Sequence, residues 1–149
     1  MSKVFNSTLE ISLRTLLILY VDGNNGKNLD SIVTADFINI YAKDFGISDT
    51  NLHGNNEFSF AEYAARRSQV QDAIKSLVID RLISVSDQDD GFHYTISELG
   101  KQLCSSMTTE YSKAYLMTAY KTIDFMRNKN ERKLIALISK EAVKAIQRR

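Results

Sequence analysis

The chain has no proline and no tryptophan among its 149 residues, and only one cysteine and two histidines. Proline normally makes up about 5% of a sequence, so its absence favours long uninterrupted helices over a loop-rich chain. The single Cys104 excludes an intrachain disulfide. It sits beside an apolar helical stripe with no neighbouring base to activate it, so it reads as a buried structural thiol. His53 and His93 stand far from each other and from Cys104, so no metal-ligand spacing is recognisable. Long apolar runs are missing too. Nothing approaches the ~20 apolar residues of a membrane span. The opening Met1-Ser2-Lys3-Val4-Phe5-Asn6 lacks the basic-then-apolar form of a signal peptide, so the expected location is cytoplasmic.

What is present is ordinary for a globular domain: 44% apolar and 25% charged residues, with a formal net charge of +1. That near-neutral sum hides an asymmetry. Residues 1–121 hold 11 Lys and Arg against 15 Asp and Glu, whereas residues 122–149 hold 8 against 3. Two surfaces of opposite sign are therefore expected, suited to an acidic partner or to each other.

Hydrophobic periodicity gives the element order. Ser7-Thr8-Leu9-Glu10 has the form of a capping box and opens a helix over about 8–21 with Leu9, Leu13, Leu16, Leu17 and Tyr20 on one face. A second helix, capped by Asp30, carries Ile32, Val33, Phe37, Ile40 and Tyr41 and ends near Phe45-Gly46. Residues 46–58 read as a long polar loop, a length that is often functional. A third helix runs from about Ser59 to Arg81 around Val70, Ile74, Leu77, Val78 and Leu82. Ile83-Ser84-Val85 is a strand, Asp87 to Gly91 a hairpin loop, and Phe92, Tyr94 and Ile96 the inward residues of the return strand, with His93 facing solvent. Ser97 caps a fourth helix with Leu99, Leu103 and Met107 inward. Further helices cover about 108–127 and the segment after Asn130, the latter striped by Leu134, Leu137, Ile138, Ala142 and Val143. The fold class predicted is mainly α with a small β-hairpin: a winged helix-turn-helix over 1–107 with a helical C-terminal extension over 108–149.

A winged-helix order raises DNA binding, which would rest on Arg66 and Arg67 of the third helix, aided by Gln69 and Lys75. Glu57, Glu62 and Asp72 offset those charges. Asp87, Asp89 and Asp90 put three carboxylates where a wing would track phosphates, and they lie within a Debye length of about 8 Å of that backbone. A DNA-binding transcription regulator is therefore the alternative reading rather than the leading one. Gly23-Asn24-Asn25-Gly26-Lys27-Asn28 lacks the spacing of a phosphate loop and follows a helix, so it reads as a turn. Catalysis by His53 would need an oriented partner beyond the sequence neighbours Asp49 and Glu57. No paired carboxylates, nucleophile elbow or dinucleotide fingerprint occurs, so the chain reads as non-enzymatic, with no catalytic residue, cofactor or metal.

Several short segments, in order, resemble a known family. Phe5 to Arg14, Leu52-His53-Gly54, Ala64-Ala65-Arg66-Arg67, Leu77 to Ile83, Gly91-Phe92-His93-Tyr94 and the Tyr111-to-Phe125 helix are similar to the middle component of bacterial ABC three-component conflict systems. The family often has Pro after the loop histidine, where Gly54 stands here. The resemblance implies a winged-helix adaptor encoded between an effector and an ATPase of the structural-maintenance-of-chromosomes type, in defence against phages and plasmids. It carries over no catalytic residues. Two contact surfaces are expected. Asn51, His53, Asn55, Asn56, Tyr63, Arg66 and Arg67 form one; Tyr115, Tyr120 and Phe125 form the other, a candidate homodimer seam.

Overall fold

The computed structural model describes residues 7–52 and 60–147. Helix α1 spans Thr8–Asp22, with the Ser7 side chain accepting from the Glu10 N–H at 3.2 Å as the capping pattern predicts. Helix α2 spans Leu29–Ile40. Its cap is Asn28, not Asp30: Asn28 Oδ1 accepts from Ser31 N–H at 2.8 Å, while Asp30 is turned outward to Arg67. α2 also stops earlier than predicted. Beyond Ile40 the chain folds in turns closed by Asp44 N–H to Tyr41 O and Gly46 N–H to Lys43 O, and Gly46 takes φ 72° to reverse it.

Every residue from Ile32 to Ile40 is buried, so α2 is the central helix of the molecule. Helix α3, Phe60–Ile79, lays Arg66, Val70, Ala73, Ile74 and Leu77 against it and α1. It ends in a left-handed residue, Arg81 at φ 63°, with Leu82 N–H closing on Leu77 O at 2.9 Å.

Strands β1 (Ile83–Gln88) and β2 (Gly91–Ile96) pair antiparallel in the register Ile83↔Ile96 through Gln88↔Gly91, leaving a two-residue turn at Asp89-Asp90. The first strand is thus longer, and the loop shorter, than predicted. Lys27 adds a bridge to the outer edge of β2, exchanging both backbone bonds with Tyr94. Alternation holds, with His93 on the opposite face from Phe92 and Tyr94, but the core ends first: Ile96 is buried, Tyr94 half-buried and Phe92 56% exposed.

Helix α4 (Glu98–Ser105) is capped by Ser97 as expected, yet it turns Gly100 and Cys104 inward rather than Leu99 and Leu103. The reason is a close backbone approach. A Cβ at Gly100 would stand 2.3 Å from the Leu82 carbonyl oxygen, so only glycine lets α4 seat on the hairpin base. Helix α5 (Glu110–Met126) packs on α1 and α2 through Tyr115, Ala119, Thr122 and Ile123. Helix α6 (Glu131–Gln147) buries Leu134, Ile138 and Ala142, while Val143 is exposed.

The architecture is mainly α with one antiparallel hairpin, in the three-helices-then-hairpin order of a winged helix. Buried residues of α1 to α3, α5 and α6 form one cluster that spans the predicted 107/108 boundary. Among the described residues no helix is long and apolar enough to cross a membrane.

Candidate functional site

Three polar side chains, Thr34, Asp36 and Asn39, are buried within the apolar run of α2. Burying a charge is costly unless it is paired and hydrogen-bonded. Asp36 is paired twice over. Its Oδ1 accepts from Arg14 Nε at 2.9 Å and from the Tyr115 hydroxyl at 2.6 Å; its Oδ2 accepts from Arg14 Nη2 and Arg66 Nη1, each at 3.2 Å. Arg14, Asp36 and Arg66 are 1%, 1% and 2% exposed. One helical turn further along, Asn39 donates to the Tyr115 carbonyl at 3.1 Å and accepts from the Thr122 hydroxyl at 2.7 Å. The network joins α1, α2, α3 and α5. No buried side-chain polar atom among the described residues lacks a partner.

Electrostatics fix the charge states. Burial alone would raise the Asp36 carboxyl, but the guanidinium groups of Arg14 and Arg66 and the donated bonds pull it below the ordinary carboxylate range. Burial, reinforced by the Asp36 charge, pushes the Tyr115 phenol well above its usual value. Asp36 is therefore an ionised carboxylate saturated with donors, and Tyr115 a fixed neutral one. Such an arrangement locks four helices together and offers no group free to accept a proton. Burial also pushes the Cys104 thiol up to about 12, far from reactive thiolate character. Among the described residues no group of three or more His, Cys, Asp or Glu could hold a metal ion.

The predicted contact residues are scattered by this geometry. Arg66 and Tyr115, expected at a surface, belong instead to the buried network, because Asp36 needs their donors. Arg67, the next residue of α3, points outward and pairs with Asp30 at 2.8 Å. Tyr63 is half-buried, its hydroxyl 2.9 Å from that of Thr34 and its ring edge-on to Phe37. Asn51 accepts from the Lys43 N–H at 2.9 Å and so braces the turn after α2. His53, Asn55 and Asn56 lie outside the described residues. Tyr120 is 52% exposed on α5, three residues from the equally outward Met117, whereas Phe125 is half-buried beneath Lys129, whose Nζ stands 3.9 Å from the ring centre.

Arg14, Asp36 and Asn39 were not among the predicted site residues. Only Asp36 carried a signal, as a polar residue between Ile32 and Ile40 on the apolar face read for its helix, whereas Arg14 and Asn39 fall outside the faces read for theirs.

Fold and polar centre together define a helical protein with a β-hairpin, organised around a structural ion network, with Arg67, Met117 and Tyr120 among the side chains exposed on its helices. The family description "ABC-three component (ABC-3C) system Middle Component 2" matches residues 4–148, and the chain belongs to that family. No curated protein and no solved structure matches it.

Proposed function

We propose that this protein is a non-catalytic winged-helix adaptor that links an ATPase of the structural-maintenance-of-chromosomes type to an effector in a cytoplasmic bacterial defence system against phages or plasmids. Family membership over residues 4–148 as a middle component carries the reading. The distribution of polar groups supports it. Arg14, Asp36, Arg66 and Tyr115 are engaged in holding helices together, while Arg67, Met117 and Tyr120 are among the accessible residues of α3 and α5. Arginine, methionine and tyrosine are the side chains enriched in protein interfaces. In this reading Asn51, His53, Asn55 and Asn56 are further partner-contact residues.

The regulator alternative loses ground on the same geometry. Of the two arginines it relies on, Arg66 is buried, and the hairpin tip keeps Asp87, Asp89 and Asp90 exposed. The test is co-purification with the ATPase and effector encoded beside the gene, with and without duplex DNA. A complex that forms without DNA and is weakened by Arg67→Glu or Tyr120→Asp is the expected result. A chain that ignores its neighbours yet binds duplex DNA alone, with a steep salt dependence, overturns the proposal in favour of the regulator.

A further inference from the structure

The hairpin has two unlike faces. In an antiparallel pair, directly opposed residues share a face. Ile83 and Ile96, Val85 and Tyr94, and Asp87 and Phe92 therefore line one side, and Ser84, Ser86, Gln88, His93 and Thr95 the other. The polar side looks onto the turn after α1: Ser86, Gln88, His93 and Thr95 line a cleft with Asn24, Asn25 and Gly26. The apolar side is core only at its base. Farther out, Val85 is 45% and Phe92 56% exposed, flanked by the exposed carboxylates Asp87 and Asp89, whereas Asp90 turns to the polar face and pairs with His93 at 2.8 Å. The result is an apolar pair set in negative charge.

Helix α6 carries the complement. Its buried stripe is Leu134, Ile138 and Ala142. On the outward side Arg132, Ala136, Lys140 and Val143 recur at spacings of four, four and three, with Lys133 and Lys144 beside them, and all are exposed. Glu141 ties Lys144 at 3.5 Å, while Arg132, Lys133 and Lys140 form no salt bridge among the described residues. Val143, half exposed, gives this basic stripe an apolar centre of its own. The two patches cannot meet within one chain. The N-terminal end of α6, at Glu131 and Leu134, sits against the same 22–28 turn that the polar face of the hairpin covers, so the apolar face looks away from α6.

We propose that the apolar, acidic face of the hairpin docks on the basic outer face of α6 in a second copy of this chain. Opposite charge fixes the register, and Phe92 and Val85 bury against Val143 and Ala136. Exposed apolar side chains interleaved with the charges favour a protein partner over a nucleic acid backbone, which offers only charge to such a stripe. The contact is heterologous, so it either closes into a ring or propagates. It stands or falls independently of the adaptor reading, because the purified chain alone suffices to test it.

The test is light scattering on the full chain at rising concentration, in about 0.1 M and about 1 M salt, which shortens the Debye length from about 10 to about 3 Å. The expected result is a mass above the monomer at low salt that declines at high salt. Asp87→Lys and Lys140→Glu each weaken association at least about tenfold through like-charge contact. Mixing the two variants restores it, because Asp87 of one copy again meets Lys140 of the other. Unchanged circular dichroism shows that both variants fold, as expected for exposed positions. A wild-type chain that stays monomeric at both salt concentrations overturns the proposal. So does association that survives both charge reversals, or a failure of the mixture to recover it.

Discussion

Replacing Asp36 by asparagine tests the central physical claim, that a buried carboxylate neutralises two guanidinium groups. The carboxylate accepts four hydrogen bonds, two at each oxygen. An asparagine keeps one oxygen and places an NH2 where the other stood. Either Arg14 Nε and Tyr115 or Arg14 Nη2 and Arg66 then face a donor instead of an acceptor. Removing one partner of a buried ion pair costs about 3–5 kcal/mol, because the remaining charge keeps its desolvation penalty. A domain of this size has a total stability of roughly 5–15 kcal/mol, so the loss is a large fraction of it. At about 2–4 °C per kcal/mol, the melting temperature of Asp36→Asn falls by roughly 6–20 °C. Chemical denaturation followed by circular dichroism reads the loss directly. The pH dependence supplies a second check. The folded-state carboxyl lies below its ordinary value, so its contribution is fully present above the unfolded value of about 4 and disappears as pH falls through the depressed folded one. The gap between wild type and Asp36→Asn must therefore narrow in acid below about pH 4. A variant that loses less than about 1 kcal/mol at neutral pH, or a gap that does not move with pH, refutes the reasoning.

Three further outcomes follow from local geometry. Gly100→Ala gains at most about 1 kcal/mol of helix propensity but drives a methyl group into the Leu82 carbonyl oxygen, so the clash wins and denaturation shows a net loss of about 2–3 kcal/mol. Arg81→Gly removes a left-handed penalty of about 1–2 kcal/mol and adds less than about 1 kcal/mol of unfolded-chain entropy, so its denaturation midpoint rises. Cys104, buried and with its thiol pushed up to about 12, resists a disulfide reagent in the native protein and reacts promptly once denatured; fast native labelling contradicts its placement.

The element order was legible because each long helix keeps a 3.6-residue apolar period and the hairpin alternates cleanly between flanking turns. Boundaries failed where tertiary contacts outweighed local preference. Asp30 is as good a cap as Asn28 by residue type, but it is drawn to Arg67 across 37 positions of sequence. Leu99 and Leu103 have the spacing of a buried stripe, yet the close approach at Gly100 rotates α4 so that a glycine and a cysteine face inward. The contact residues were least legible. Arg66 and Arg67 are adjacent and chemically identical, and one is buried while the other is exposed only because Asp36 lies one helix away. Nothing local separates them. The acidic hairpin tip and the basic C-terminal segment, by contrast, were visible as charge alone and persist as surfaces in the fold.

The Asp36 network also sets an order of events for a chain emerging from the ribosome. Its donors come from positions 14, 66 and 115, and the last of these is 79 residues beyond the carboxylate. Until α5 has been synthesised, Asp36 lacks the Tyr115 hydroxyl, Asn39 lacks both of its α5 partners, and one side of α1 and α2 has no cover. Closing so distant a loop is slow relative to forming the helices themselves. The first three helices and the hairpin therefore stay without this cover until α5 has been made.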